Sequence, residues 1–178
     1  TIVGTAVTDQ IIGGAGVDTI TGGGGPDTMT GGGSADLFEF AAADSSGATA
    51  ADKILAADSI TDFNTGGSDV IGFDAAITIG ANGDAAAAGD AQISAEGVVT
   101  FHGDDDTLAE RVTAVAGGMT SGTDADGEVA FFAHSDGNTY VFISDGAAGV
   151  TAGDNLVILV GVTGLTDSTL AADHITIA

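Results

Sequence analysis

Sizeable apolar residues return at every ninth position near the start of the chain, at Ile11, Ile20, Met29 and Phe38, and the stretches between them are rich in glycine, threonine and aspartate. Thr19-Ile20-Thr21 and Thr28-Met29-Thr30 are β-prone triplets whose central side chain points to one side while the threonines point to the other. A strand of three residues buries nothing alone. The units are therefore expected to stack, each triplet adding to a parallel sheet and each glycine-rich stretch turning the chain back. With two nonapeptides per coil, successive triplets fall in opposite sheets, and equivalent positions two units apart lie one strand spacing apart, about 4.8 Å.

Further along the pattern changes. Residues 41–58, rich in Ala, Ser and Asp, read as a loop, and 77–101 as short β-prone runs around an Ala-rich loop. Leu108, Val112 and Val115 recur at helical spacing, with Asp105 or Asp106 available as N-cap and Gly117 as the end, which predicts the chain's one helix. EVAFFAHSDGNTYVFIS (128–144) reads as a hairpin turning at Ser135-Asp136-Gly137-Asn138. Leu156 to Val160 is apolar on both faces and is expected to form a central strand, and DHITIA at the end is again strand-like.

Written in nines, residues 4–39 read GTAVTDQII, GGAGVDTIT, GGGGPDTMT and GGGSADLFE. The first position is always Gly (4, 13, 22, 31) and the sixth always Asp (9, 18, 27, 36). Stacking sets Asp9 beside Asp27 and Asp18 beside Asp36, where two carboxylates repel unless a cation lies between them. Glycine, free to take φ > 0, lets the turn aim carbonyl oxygens inward and complete an oxygen cage. Such a cage suits Ca²⁺, since Mg²⁺ prefers to keep its waters and Zn²⁺ prefers nitrogen or sulfur.

Composition sharpens this reading. The chain has 178 residues, 44 % of them hydrophobic, enough for one domain or an elongated body with a cap. Its 26 acids, all aspartate except Glu39, Glu96, Glu110 and Glu128, face only Lys53 and Arg111, for a formal charge of −24. Nucleic acid and anionic membrane surfaces are poor partners for such a chain. There is no cysteine, hence no disulfide, thiolate zinc site or cysteine nucleophile. No apolar run approaches the roughly 20 residues of a membrane-spanning helix, so a soluble protein without membrane insertion is expected. The opening TIVGTAV, with no initiator Met, reads as that of a fragment or processed product.

GGAGVDTIT and GGGGPDTMT match the pattern GGxGxDxUx in full, and GGGSADLFE misses only its fourth glycine. These units resemble the RTX (repeats-in-toxin) β-roll of proteins exported by bacterial type I secretion. The resemblance implies an all-β fold. It consists of a right-handed parallel β-roll over residues 1–40, then a β-rich C-terminal capping and secretion-signal region over 41–178. It further implies that Ca²⁺ is held by the side chains of Asp9, Asp18, Asp27 and Asp36 and by carbonyls of Gly13, Ala15, Gly22, Gly24, Gly31 and Gly33. The first unit departs from the pattern with Thr5, Ala6 and Val7 in place of loop glycines. DSITDFNTGGSDVIGF (58–73) resembles the segment closing such rolls, which implies that Asp58 and Asp62 serve a terminal calcium and that Phe63 and Ile71 cap the core.

As a whole the chain resembles the C-terminal part of a bacterial surface-layer (S-layer) protein. That implies a secreted structural module at the cell surface, with the type I secretion apparatus and neighbouring subunits of a lattice as its partners. Residues near 160–178 are the candidate export signal. The alternative is the secretion and folding module of an exported hydrolase, such as a serralysin-like protease or a lipase, or of an adhesin. No enzyme is expected within the chain: His102, His134 and His174 are scattered, HExxH is absent, and neither GxxxxGK[ST] nor GxGxxG occurs. The DADG string (124–127) lacks the rest of an EF-hand loop and reads as a turn. Asp104, Asp105 and Asp106 suit a helix N-terminus.

Overall fold

The computed structural model describes residues 1–73, 78–79, 89–119, 127–165, 168–171 and 174–177, which are mostly β-strand with two helices. The first part comprises β1 (Ile2–Val3), β2 (Gln10–Gly14), β3 (Thr19–Thr21), β4 (Thr28–Gly32), β5 (Leu37–Phe40), α1 (Ala50–Ala56), β6 (Asp58–Ile60) and β7 (Val70–Phe73). The second comprises β8 (Thr78–Ile79), β9 (Ala91–Ile93), β10 (Val99–Phe101), α2 (Leu108–Met119), β11 (Glu128–Ala133), β12 (Thr139–Ile143), β13 (Asn155–Leu159), β14 (Ser168–Ala171) and β15 (His174–Ile177).

The triplets pair as the ninefold pattern requires. Odd strands β1, β3, β5 and β7 form one parallel ladder and even strands β2, β4 and β6 another. Ile2 pairs with Ile20, Ile20 with Phe38 and Ile11 with Met29, an offset of 18 residues each time. Their side chains meet in a core between the sheets, where Ile20, Met29 and Phe38 are fully buried. The offset grows to 31 between Thr28 and Ser59 and to 33 between Leu37 and Val70, because the chain inserts an excursion carrying α1. Both ladders thus run past residue 40, and neither sheet breaks there. Ile71 is a regular rung paired with Phe38 and Ile175, and Phe63 packs near Phe38 with ring centroids 6.5 Å apart.

The remaining strands extend the same two sheets. The first continues antiparallel through β15 to β14, and the second through β13, β12 and β11 to β8. β13 joins the ladder by pairing parallel with β6. Val129, Phe131, Val141 and Val157 face the ladder core, while Ala130, Phe132, Phe142 and Leu156 face a second core beneath α2. A sheet covered on both faces selects unbroken apolar runs, which accounts for TYVFI and NLVIL. The hairpin turns at the expected Asp136-Gly137, with Gly137 at φ 88°. Among the described residues no helix is long and apolar enough to cross a membrane.

Three helix details differ from the sequence reading. The stretch read as a loop holds α1, started by Thr49, whose Oγ1 accepts from the Asp52 N–H (3.2 Å). α2 is capped by Thr107 rather than by Asp105 or Asp106: Thr107 Oγ1 accepts from Glu110 N–H and Glu110 returns a carboxylate oxygen to Thr107 N–H, a reciprocal pair. α2 also passes through Gly117 to Met119. The Ala-rich stretch 81–88 and Asp124 to Asp126 of the DADG string lie outside the described residues.

The second glycine of each repeat turn tests the stacking. Gly14 (φ 124°) and Gly32 (φ 103°) both adopt backbone that L-residues avoid, but a Cβ on Gly14 would meet nothing, whereas one on Gly32 would strike the Gly14 carbonyl in the neighbouring coil. Gly14→Ala should cost about 1–2 kcal/mol from the backbone alone, and Gly32→Ala distinctly more. Denaturant unfolding of the calcium-loaded variants measures this, and equal losses would refute the contact.

Candidate metal centre

Each repeat aspartate sits just before its strand, so the parallel ladders bring the aspartates of alternate units into columns. The link is the same at every rung: the backbone N–H of one aspartate donates to Oδ1 of the aspartate one coil on. Asp9 donates to Asp27 (2.8 Å), Asp18 to Asp36 (2.9 Å), Asp27 to Asp58 (2.8 Å) and Asp36 to Asp69 (2.8 Å). The carbonyls of Asp9, Asp18, Asp27 and Asp36 accept from Thr28, Leu37, Ser59 and Val70 in those next coils. Both main-chain groups of Asp9, Asp18, Asp27 and Asp36 are therefore used, and in Asp27, Asp36, Asp58 and Asp69 one side-chain oxygen is spent orienting the carboxylate.

The other oxygen is what makes the columns a site. Oδ2 of Asp27, Asp36 and Asp58 is buried without a hydrogen-bond partner among the described residues. A Cβ on Gly22 or Gly31 would collide with Oδ2 of Asp27 or Asp36, and one on Gly13 or Gly4 would come within 2.9 and 3.0 Å of Oδ2 of Asp18 and Asp9. The invariant first glycine thus leaves room beside its own unit's carboxylate, a steric reason distinct from φ > 0. The carbonyl oxygens of Gly22 and Gly31 press against Gly4 and Gly13, again where a Cβ would sit.

The other predicted residues divide. Asp9 Oδ2 is taken up by Thr5 N–H (2.6 Å) and Thr5 Oγ1 (2.7 Å), in the unit that lacks loop glycines. Asp62 lies outside the columns, its two oxygens accepting the N–H groups of Gly31 (2.9 Å) and Gly32 (2.8 Å), so it fixes the end of β4. Ala15 O accepts the Ser34 hydroxyl (3.3 Å), and the Gly24 and Gly33 amides bond to Thr5 O and Gly14 O. Ser34, at the missing fourth glycine, keeps a left-handed backbone at φ 84°. Asp69 is the column member that residue-by-residue reasoning passed over. Its signal was present in Gly67-Ser68-Asp69-Val70-Ile71, which repeats the spacing of Asp to apolar residue found in the ladder.

Electrostatics separates the rungs. Burial pushes the Asp58 carboxyl up to about 8, against the lowering effect of the Asp27 N–H and with a further rise from the charge of Asp27. Burial likewise raises Asp27 and Asp69, opposed by the N–H groups they accept and assisted by neighbouring carboxylates. Among the described residues no three His, Cys, Asp or Glu side chains converge on one point. The donor set is accordingly paired carboxylates of one column with loop carbonyls, all oxygen, which fits a hard divalent ion and disfavours zinc. Asp27, Asp36 and Asp58 would hold Ca²⁺ through Oδ2, with Asp9, Asp18 and the turn carbonyls around them. The ion would supply the positive charge that lets these carboxylates stay ionised side by side.

The comparisons agree with this geometry over the ladder. A family model for the RTX calcium-binding nonapeptide repeat, in four copies, matches residues 3–38. No curated protein matches the chain. Residues 3–38 thus carry calcium-binding repeats of RTX type, and β6 and β7 continue their column beyond the matched stretch.

Asp27→Ala removes a buried ligand and should weaken calcium binding about tenfold or more, the scale of a lost charged contact. Asp104→Ala, at an exposed position before α2, should leave binding unchanged in the same calorimetric titration. The pH response has a defined sign. Asp58 binds its proton more tightly folded than unfolded, so the folded chain holds the extra proton between the ordinary carboxylate range and about pH 8. The small folded fraction that survives in chelator should therefore be greatest at mildly acidic pH and fall as pH rises through that window, and Asp58→Asn should flatten the fall. An unchanged slope in Asp58→Asn would contradict the assignment.

Proposed function

We propose that this chain is a calcium-dependent structural module of a secreted bacterial surface (S-layer) protein. In this reading it leaves the cell unfolded through a type I secretion apparatus and folds outside, its ladders coiling as a right-handed parallel β-roll. The observation that carries it is the column of buried carboxylates in which Oδ2 of Asp27, Asp36 and Asp58 has no hydrogen-bond partner among the described residues. Such a column disfavours the compact state where calcium is scarce. Where calcium is plentiful, each site adds RT ln(1 + [L]/Kd), about 1.4 kcal/mol at tenfold excess. A few sites of that size decide a marginal fold.

The lattice role draws support from composition and from the extent of sheet beyond the repeats: 30 glycines, two strong bases, and two sheets that continue through β13 and β15 into a β-rich lobe. We read the module as structural rather than catalytic, with neighbouring subunits as its partners. Removing calcium should convert the chain from β-rich to largely disordered by circular dichroism, and a β signal retained in excess chelator would contradict the switch. Electron microscopy of the parent protein with and without calcium tests the lattice. Ordered two-dimensional arrays that appear only with the ion are expected, whereas isolated particles in both conditions would favour the folding module of an exported hydrolase or adhesin.

A further inference from the structure

We propose that the 41–45 segment and the 144–155 loop form a second cation site, separate from the aspartate columns, which the chain fills with the ammonium of its own Lys53. Lys53 is the only lysine, and it is fully buried. Its Nζ donates to the carbonyls of Ser45 (2.5 Å), Asp154 (2.5 Å) and Ala152 (3.3 Å). No ion pair joins it to a carboxylate among the described residues. A buried positive charge is therefore coordinated by neutral backbone oxygens, the donors by which loops hold hard metal ions.

The surrounding negative charge is arranged as for a metal. Burial lowers the Lys53 pKa, and the carboxylates of Asp154 and Asp145 act in the opposite direction. Neither carboxylate is loose. Asp154, fully buried, accepts from the Asp145 and Thr151 amides (2.9 and 2.7 Å), and Asp145 accepts from the Ala147 amide and the Thr151 hydroxyl (2.9 and 2.7 Å). Two acids thus form an outer shell around a cage of three carbonyls.

The Ser45 edge of the cage has fastenings besides the lysine. The Asn155 side chain accepts from Ser45 N–H (2.8 Å) and donates to Ala41 O (2.7 Å), while Ser45 Oγ donates to Leu156 O (3.1 Å). These bonds fasten the segment after β5 to the start of β13 with no contribution from Lys53. An oxygen cage fastened in part by bonds of its own is preorganised for a cation. Arg111, the other base, differs: it bonds to Asp105 O and Ala133 O but lies over the Phe101 ring at 5.0 Å, so its surroundings are part aromatic. The cation that fits the Lys53 cage once the side chain is withdrawn is a hard oxygen-seeking ion, Ca²⁺ in calcium-rich medium.

The test counts ions on the full chain by equilibrium dialysis against calcium, with Lys53→Ala, Lys53→Met and the parent sequence compared. Lys53→Ala should bind one calcium more than the parent, and its thermal midpoint should keep rising with calcium after the parent's has levelled. Lys53→Met keeps a long side chain at this position without a charge and should gain no ion. The proposal is overturned if folded Lys53→Ala binds the parental number, if no calcium concentration restores its fold, or if Lys53→Met gains the ion as well. The readout is a difference between variants, so failure of the aspartate columns to bind would lower all counts together and stay distinguishable.

Discussion

The contact on which the architecture depends is a main-chain N–H donating to the carboxylate of the aspartate one coil on. It recurs at four rungs, from Asp9 to Asp27, Asp18 to Asp36, Asp27 to Asp58 and Asp36 to Asp69. This one bond sets the register of the parallel strands, because a slip of a single residue would lose the bond and turn every core residue outward. It also forces like charges into a column. The geometry that makes the coils stack is thus the geometry that makes them repel, and stacking and cation binding cannot be separated in this chain.

That constraint explains which parts of the structure were legible in the sequence. Two residue types in fixed columns, Asp at the sixth position and an apolar residue at the eighth, fixed the strands, the offset of 18 and the core positions of Ile20, Met29 and Phe38. The hairpin at Asp136-Gly137 and the central strand at 155–159 were legible from turn chemistry and unbroken apolarity. Where the chain leaves the period, the signal weakened. α1 is only seven residues long, too short for helical periodicity to rise above an Ala-rich background, and its Thr49 cap has a counterpart only in Asp52. Asp62 fits a ligand pattern by type and spacing, yet the 31-residue offset places Asp58 in the column and turns Asp62 toward the Gly31 and Gly32 amides. A column is a property of register, and an insertion shifts register in a way that local strings do not record.

The β-rich lobe belongs to the same energetic unit as the repeats. β13 continues the even ladder and β15 the odd one, so Val157 and Ile175 pack into the core that Ile20 and Phe38 begin. Coils of three-residue strands bury little per rung, and the lobe supplies larger strands and a second core under α2. Asn64 ties the two ends together: its side chain donates to Ile177 O (2.9 Å) and accepts from Asp69 N–H (2.9 Å), bonding the last column residue to the final strand. Ordering the column should therefore be felt at the C-terminal edge.

The placement of the two bases follows from the same charge balance. With 26 acids and two strong bases, internal ion pairing could neutralise only a small part of the total, and neither base is used that way among the described residues. Both instead clamp backbone carbonyls. Lys53 joins α1 to the 152–154 turn and Arg111 joins α2 to the end of β11. A tethered cation is present whatever the medium contains, so the joints it makes in the folded chain need no ion from solution. Among the described residues the repeat carboxylates have no such partner, which on the proposed reading leaves their neutralisation to an ion from solution. Within the folded chain Lys53 and Arg111 bring their own charge to these joints, while on the proposed reading the aspartate columns depend on calcium.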